Sequence, residues 1–290
     1  MTKIACVGEA MIELSMDGQS AKIGVAGDTL NTAIYLKRSA PDLTVDYVTC
    51  LGDDPFSEQV REFIATQRIG CDAIRTIPGK SPGLYAITTT DDGERAFTYW
   101  RSASAARDMF QFDGQFDFSV LEGYDFVYLS GITLGILPQA VRLALIDHLQ
   151  STDLRVIYDS NYRPALWEDE ATAQNVTRAI WAHTDIALPS IDDEMALFRE
   201  TASDVESRCQ KSFINGALKR GAQGPLSLGS DVVQDYPPAK KVIDTTAAGD
   251  SFNGGYLGAL LSGKSQAEAL RSGHDLAARV VRHRGAIIPE

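Results

Sequence analysis

Residues 244–261, "DTTAAGDSFNGGYLGALL", combine small side chains, a carboxylate and a long apolar pattern with helical spacing. The pattern predicts a helix whose first turn is formed by residues 247–250. Such a turn exposes unpaired backbone N–H groups and the positive end of the helix dipole. Because Ala247, Ala248 and Gly249 are small, an anion such as phosphate can approach these groups closely.

Asp250 is unfavourable in an anion site unless its carboxylate acts on a different atom. Removal of a proton from an attacking hydroxyl is such a role, and phosphoryl transfer needs it. The alternative is that Asp250 only complements the helix dipole and that the small residues only pack. Gly254, Gly255 and Gly258 recur at helical spacings, which predicts that one helix face packs closely on a neighbouring element.

The elements around this helix alternate between strands and helices along most of the chain. The runs "KIACVGEA", "YDFVYLSG" and "LRVIYDSN" are typical of strands, and "PFSEQVREFIATQRIG" has the spacing of a helix. This alternation predicts an α/β fold with a mainly parallel sheet and helices on both faces. In such folds, ligands bind at the carboxyl ends of the strands.

One segment, "PGLYAITTTDDGERAFTYWRS", breaks the alternation. It predicts a β-hairpin with strands near 83–90 and 94–101 around a tight turn at Asp92 and Gly93. Together with residues near 12–26, we expect it to form a small β lid over the carboxyl ends of the main strands. Its exposed edge is also a candidate for pairing between subunits, which would give a homo-oligomer through the lid.

The length and composition of the chain limit its domain organisation and the classes of partner that it can bind. The chain has 290 residues without a linker or an internal repeat, so we expect a single domain over 1–290 with a lid at about 12–26 and 83–101. A net charge of -12 argues against nucleic-acid and membrane partners. The scattered cysteines match neither a zinc site nor a disulfide framework. No signal peptide or membrane span is expected, which favours a cytoplasmic location. No complete G-x-G-x-x-G follows the first strand, which disfavours a dinucleotide-dependent dehydrogenase.

"DTTAAGD" resembles the C-terminal signature of the ribokinase-like (PfkB) sugar kinase family. Across the whole chain, further segments look like those of bacterial 2-keto-3-deoxygluconate kinases: "GDTLNTA", "PGLYAI", "TYWRSASAA", "LSGITL", "NYRPALW", "KRGAQG" and "RGAIIP". The resemblance implies a ribokinase-like three-layer sandwich that phosphorylates 2-keto-3-deoxygluconate with ATP, giving 2-keto-3-deoxy-6-phosphogluconate. The alternatives are a kinase for fructose or for keto-deoxygalactonate, or a non-catalytic sugar- or nucleotide-binding relative.

The resemblance also implies roles for individual residues. Asp250 is the general base, and the anion hole is formed by Ala247, Ala248 and Gly249. Asn161 and Arg163 resemble positions that contact the nucleotide. The loop that resembles the family's nucleotide loop contributes Lys219, Arg220, Gly221, Ala222 and Gly224. For Lys219 and Arg220, the alternative is solvated surface charge.

The expected sugar site includes two arginines, because the arginine fork suits a carboxylate or a phosphate. For Arg101 the alternative is a surface salt bridge, and for Arg163 it is packing against Trp167. The remaining residues expected to bind the substrate are Gly27, Asp28, Asn31, Tyr85 and Tyr99. Tyr85 and Asn31 are expected to hydrogen-bond sugar hydroxyls, unless Tyr85 is a core aromatic of the lid and Asn31 a plain helix residue.

The resemblance implies ATP as a cofactor, together with the Mg²⁺ that accompanies it. No other metal is expected, because the four histidines lack metal-ligand spacing. Many relatives in the family carry Asn-x-x-Glu at a position that organises magnesium. The nearest match here runs from Ser190 to Asp193 and lacks the asparagine. We therefore expect no direct metal ligand, and Asp193 to act through water. Pro225 cannot donate a ladder hydrogen bond, so we expect it at a strand start or edge.

Overall fold

The computed structural model describes residues 2–89 and 95–289. The strands are, in chain order, β1 Lys3–Val7, β2 Met11–Asp17, β3 Ser20–Ala26, β4 Thr44–Leu51, β5 Ile74–Thr76, β6 Gly83–Thr89, β7 Arg95–Trp100, β8 Gln111–Phe112, β9 Gln115–Phe116, β10 Phe126–Ser130, β11 Arg155–Asp159, β12 Ile186–Leu188, β13 Gly216–Leu218 and β14 Leu226–Leu228. The α-helices are α1 Asp28–Ser39, α2 Pro55–Thr66, α3 Gly131–Ile136, α4 Gln139–Gln150, α5 Glu170–Trp181, α6 Ile191–Phe198, α7 Ala202–Ser212, α8 Ala248–Leu261 and α9 Gln266–Val280.

The large sheet has eight strands in the order β14-β13-β12-β11-β10-β1-β4-β5. Neighbouring strands run parallel, apart from the antiparallel edge strand β14. β14 begins directly after Pro225, as the sequence predicts for this proline. The chain builds the sheet outward from β1 in one direction and from β10 in the other. This reversal of strand order creates a crevice at the carboxyl ends of β1 and β10.

Apolar side chains pack on both faces of the large sheet. Along β1, Ala5 and Val7 belong to one core, and Ile4 and Cys6 belong to the other. The first core takes side chains from α3, α4, α5, α6 and α7, and the second from α1, α2, α8 and α9. The sheet is therefore the middle of three layers, as the sequence predicts. In residues 2–89 and 95–289, no helix is both long enough and apolar enough to cross a membrane.

A second sheet of four strands has the order β3-β2-β6-β7. β2 and β6 are parallel neighbours, and the two outer pairs are antiparallel. These strands cover the two segments predicted to form the lid, whereas the predicted turn at Asp92 and Gly93 lies outside the described residues. Tyr85 in the middle of β6 faces Glu13 on β2 and Tyr99 on β7.

Helix α8 packs between α1 and α9, and its glycines make both contacts close. A Cβ atom on Gly254 would lie 2.4 Å from Cβ of Tyr35 in α1, and Gly258 meets the same helix. A Cβ atom on Gly255 would instead lie 2.9 Å from the backbone oxygen of Ser272 in α9. The prediction of a single packing face is therefore wrong, because consecutive residues point about 100° apart around a helix.

Candidate active site

A cavity of about 780 Å³ opens at the carboxyl ends of the large sheet, and the second sheet forms part of its wall. Asp159 is the last residue of β11, and Ser190 and Lys219 follow β12 and β13. All three line the cavity together with the first turn of α8. The parallel topology therefore brings residues that are far apart in sequence to one place.

Nearly every site residue predicted from the sequence lines this cavity. They are Gly27, Asp28, Asn31, Tyr85, Tyr99, Arg101, Asn161, Arg163, Asp193, Lys219, Arg220, Gly221, Ala222, Ala247, Ala248, Gly249 and Asp250. Gly224 is not among the lining residues, because it packs on Tyr236, whose Cβ would lie 2.5 Å from a Cβ at this position. Its carbonyl oxygen accepts a hydrogen bond from Nε of Arg220 at 3.1 Å. Gly224 therefore supports the loop through its contacts with Tyr236 and Arg220 and does not line the cavity.

Asp250 lies in the first turn of α8. Its Oδ2 accepts a hydrogen bond from Nδ2 of Asn31 at 2.8 Å, and its backbone oxygen accepts one from the Thr32 hydroxyl at 3.3 Å. Burial, followed by the nearby carboxylate of Asp28, raises the pKa of Asp250 to about 8, although the Asn31 bond acts in the opposite direction. A carboxyl group that ionises close to neutral pH is suited to general-base catalysis.

The N-terminus of α8 has no side-chain cap, and Ala247 takes the left-handed conformation there with φ 57°. The N–H of Ser251 donates to the carbonyl oxygen of Ala247 at 2.9 Å. Within the part of the chain that the structure describes, the N–H groups of Gly249 and Asp250 have no acceptor. A Cβ atom on Gly249 would lie 3.8 Å from Nζ of Lys219. Two free N–H groups, the helix dipole and an ammonium group thus converge on one place.

A buried polar network fixes the position of the Lys219 ammonium group. Nζ donates to Oδ1 of Asp159 at 2.7 Å and to Oδ1 of Asn253 at 3.3 Å. Nδ2 of Asn253 donates to Oδ2 of Asp159 at 2.6 Å and to the Tyr128 hydroxyl at 3.0 Å. The sequence predictions missed Asp159 and Asn253. Asp159 carries a usable signal, because it ends a β-rich run just before the predicted site residue Asn161.

The part of the cavity under the second sheet holds aromatic and charged groups. The Tyr85 hydroxyl donates to the carboxylate of Glu13, and its ring centroid lies 5.6 Å from that of Tyr99. Arg101 forms an ion pair with Glu9, and its guanidinium carbon lies 5.8 Å from the centre of the Tyr99 ring. The Glu9 side chain is buried and that of Arg101 is only 11% exposed, so the alternative of a surface salt bridge for Arg101 is wrong.

The start of α1 also reaches the cavity. A Cβ atom on Gly27 would lie 2.2 Å from the backbone oxygen of Glu9, so only glycine allows this close approach. Asp28 accepts a hydrogen bond from Nδ2 of Asn161 at 2.9 Å, and burial raises the pKa of the Asp28 carboxyl. Oδ1 of Asn31 is buried and has no hydrogen-bond partner within the described residues. This oxygen can accept a hydrogen bond from a ligand hydroxyl.

Another part of the wall carries cationic and apolar groups. Arg163 is about half exposed, and its Nη1 donates to the backbone oxygen of Tyr162 at 2.7 Å and to Oδ1 of Asp193 at 3.2 Å. Trp167, the alternative partner of Arg163, stacks with Arg142 instead. The same cavity is also lined by the apolar residues Ala222, Pro225, Pro238, Ala239, Val242, Ala277, Ala278 and Val281. This lining is suited to the flat face of a nucleotide base.

Acidic side chains supply oxygen atoms at the cavity wall. Asp159, Asp192 and Asp193 line it, whereas Glu194 turns away and pairs with Arg208 at 2.9 Å. Across residues 2–89 and 95–289, no three His, Cys, Asp or Glu side chains form a group that holds a metal ion by itself. Mg²⁺ commonly binds one or two carboxylates and the phosphates of its substrate, and keeps several waters. The residues therefore fit a metal ion that arrives with the nucleotide.

Comparison with known proteins assigns this chain to a protein family. The sequence profile of the pfkB family carbohydrate kinases matches residues 1–290. The chain belongs to the pfkB family of carbohydrate kinases. It is 41% identical over 302 residues to the 2-dehydro-3-deoxygluconokinase of Escherichia coli K12, and the match covers 99% of this chain and 97% of that enzyme. The sugar kinase predicted from the sequence is confirmed.

Solved structures show the same fold. The 2-dehydro-3-deoxygluconokinase of Thermotoga maritima matches with a TM-score of 0.80 at 19% identity, over 99% of this chain and 96% of that one. The fructokinase of Vibrio cholerae O395 in its fructose, ADP and calcium ion bound form matches with a TM-score of 0.82 at 20% identity, over 99% of this chain and 94% of that one. The predicted ribokinase-like α/β fold is confirmed.

Proposed function

We propose that this pfkB family kinase transfers the terminal phosphoryl group of ATP to 2-keto-3-deoxygluconate (2-dehydro-3-deoxygluconate) and forms 2-keto-3-deoxy-6-phosphogluconate. The observation that carries the reaction type is the position of the Asp250 carboxylate beside the unpaired N–H groups of α8 and the Lys219 ammonium group. Phosphoryl transfer to a hydroxyl needs a base next to an anion site. The substrate is inferred from the Escherichia coli relative, which matches nearly the full length.

In the proposed reaction, Asp250 accepts the proton of the attacking hydroxyl while the hydroxyl oxygen bonds to the terminal phosphorus of ATP. The bond from that phosphorus to the bridging oxygen breaks, and ADP leaves. Asn31 holds the carboxylate in place through its hydrogen bond. The N–H groups of Gly249 and Asp250 and the nearby Lys219 ammonium group stabilise the charge on the transferred group.

The nucleotide is expected to lie along the wall that begins at Lys219. Arg163 and Arg220 line this wall and supply positive charge for the phosphates, and Gly221 and the apolar residues offer a surface for the base. When bound, Mg²⁺ neutralises part of the phosphate charge. Asp193 is the carboxylate that we assign to it, through a water molecule.

The sugar is expected to lie under the second sheet. Arg101 is available to its carboxylate, because the arginine fork can bond to more than one oxygen. Oδ1 of Asn31 can accept from a sugar hydroxyl, and so can the Tyr85 oxygen, whose own proton goes to Glu13. The ring of Tyr99 covers the same region.

A substrate panel with ADP production as the readout tests the proposal. We expect 2-keto-3-deoxygluconate to exceed fructose in kcat/KM by about ten- to a hundred-and-fifty-fold, because a charge-assisted hydrogen bond contributes about 1.5–3 kcal/mol. 2-Keto-3-deoxygalactonate belongs in the panel, since it differs at one hydroxyl. If fructose is equal or better, the acid-sugar proposal fails and the protein is a fructokinase. If none of the three sugars is phosphorylated, the substrate of the kinase is a different sugar.

The Arg101→Ala variant locates the carboxylate. We expect it to reduce the preference for the acid, chiefly by lowering kcat/KM for the acid and not for fructose. If the preference is untouched, another group binds the carboxylate, and Arg163 is the next candidate.

Two further predictions concern the oligomeric state and the cellular location of the protein. The outer strand β7 of the second sheet exposes Trp100, which is 58% exposed, and supports pairing of two copies through this sheet. Light scattering on the purified protein measures that assembly.

The cytoplasmic location predicted from the sequence also stays a prediction, which cell fractionation checks.

A further inference from the structure

A buried ion pair joins the two sheets at the sugar end of the cavity. Glu9 lies two residues beyond the end of β1 in the large sheet, and Arg101 follows the last residue of β7 in the second sheet. The Glu9 side chain is 1% exposed and the Arg101 side chain 11%. The acidic partner is therefore buried behind the arginine, which itself lines the cavity.

The ion pair uses one of the three nitrogen atoms of the Arg101 guanidinium group. Its Nε and Nη2 atoms are buried, and Nη2 is the atom that contacts the Glu9 carboxylate. Nη1 is not among the buried polar atoms that lack a hydrogen-bond partner, and Arg101 itself lines the cavity. The Tyr99 ring, 5.8 Å from the guanidinium carbon, restricts movement of the side chain. The guanidinium group of Arg101 is therefore held between the buried Glu9 carboxylate and the Tyr99 ring at the cavity wall.

Stability alone does not explain a glutamate at position 9. A buried ion pair commonly contributes no more to stability than apolar side chains of the same volume. The fold also keeps space for this carboxylate, because a Cβ atom on Gly83 would lie 2.5 Å from Oε1 of Glu9. The pair is thus built at a position where an apolar residue would serve stability equally well, and it lies next to the proposed carboxylate-binding group.

We infer that Glu9 is a positioning residue, which fixes the guanidinium group of Arg101 so that Nη1 meets the carboxylate of an acidic sugar. The preference for an acidic over a neutral sugar then depends on Glu9 as well as on Arg101. This inference rests on the proposed function. Glu9 acts through Arg101 and touches neither the nucleotide nor the reacting hydroxyl.

The test compares Glu9→Ala and Glu9→Gln with the wild type on 2-keto-3-deoxygluconate and on fructose. We expect Glu9→Ala to lower kcat/KM for the acid by at least about tenfold, mainly through KM, because Arg101 loses its anchor. Fructose should change by less than about threefold. Glu9→Gln keeps an oxygen that accepts from Nη2, so it should hold the acid within about threefold of the wild type.

Glu168→Ala is the matched control, because Glu168 pairs at 2.8 Å with another buried arginine, Arg142, and does not line the cavity. It should lower Tm without altering the preference between the sugars. If Glu9→Ala is too unstable to assay, Gly83→Ala displaces the Glu9 carboxylate without removing a charge, and it should lower the preference for the acid.

The outcomes separate the two proposals. If the wild type does not prefer the acid, the proposed function fails before any variant is compared. If the wild type prefers the acid and the Glu9 and Gly83 variants keep that preference, the positioning role fails alone. Equal losses on both sugars would likewise reduce Glu9 to a structural residue.

Discussion

The side-chain amide of Asn31, near the start of α1, donates to Oδ2 of Asp250, near the start of α8, at 2.8 Å. The two helices meet because Gly254 allows α8 to approach Tyr35 of α1 closely. Helix packing therefore decides where the carboxylate points. The same contact places the start of α1, which we assign to the sugar, against the start of α8, which we assign to the phosphate.

Asp250→Asn should abolish turnover while leaving ATP and sugar binding largely intact. The amide keeps the shape of the side chain but cannot take the proton of the attacking hydroxyl. A loss in kcat of about a hundred- to ten-thousand-fold is typical of a general base. Steady-state kinetics give kcat, and isothermal titration with each ligand gives binding. A variant that kept more than about a tenth of the wild-type kcat would remove Asp250 from this role.

The pH profile should report the ionisation of Asp250. Burial and the Asp28 carboxylate raise the pKa of Asp250 to about 8, and a base must be ionised to act. We therefore expect kcat/KM, which reflects the free enzyme, to rise with pH and to level off above about 8. The measurement is kcat/KM for the sugar at saturating ATP between about pH 6 and 10.

Two variants shift that profile in opposite directions. Asp28→Asn removes a like charge, so the carboxylate form of Asp250 is favoured and the midpoint should fall. Asn31→Ala removes a hydrogen bond to the carboxylate, so the midpoint should rise. A midpoint that moves with neither substitution would assign the titration to a different group.

Much of the fold follows from the sequence, because strand and helix patterns with turn residues between them are local signals. The run "KIACV" is buried on both faces after the exposed Lys3 and forms β1, a central strand of the large sheet. The glycines of α8 show what such local patterns cannot predict. Their spacing predicts close packing, but which helix each one meets depends on the placement of α1 and α9, which no local pattern contains.

The sequence likewise predicted only some residues of the candidate site. Asp250, Gly249 and Lys219 stand in short motifs, and the cavity lining contains all three. Asn253 and Glu9 were not predictable, because a buried polar residue looks like any other until its partners are known. Their partners, Asp159 and Arg101, are distant in sequence and meet only through the sheet topology.

Gly249→Val should reduce kcat more than it weakens sugar binding. A branched side chain at this position would fill the space between the first turn of α8 and the Lys219 ammonium group, where we place the phosphoryl group. Loss of one donor to a transition-state oxyanion costs about a hundred- to a thousand-fold in kcat. Gly249→Ala is the matched control, since its Cβ atom would make only an ordinary contact of 3.8 Å with Nζ of Lys219. If Gly249→Val lost sugar binding and kept its rate at saturation, this turn would belong to the sugar pocket.

Asp159→Asn tests whether Lys219 meets the phosphates of ATP. The substitution removes the charge partner that lies 2.7 Å from Nζ of Lys219 and leaves a mostly buried cation unpaired. Removal of one partner from a buried pair costs about 3–5 kcal/mol, and the position of Lys219 at the cavity wall favours the lower end of that range. We therefore expect a lower Tm for the free variant, measured by thermal denaturation.

ATP should then stabilise Asp159→Asn more than it stabilises the wild type. Bound phosphates supply the negative charge that Lys219 has lost, so the nucleotide binds the folded variant with an added favourable contact and raises its Tm further. Glu168→Gln provides the comparison, because it also removes the partner of a buried cation, Arg142, but outside the cavity. Its Tm should rise with ATP by the same amount as that of the wild type. Equal increments in Tm for all three proteins would show that Lys219 does not contact the phosphates and would leave Arg163 and Arg220 as the groups that bind them.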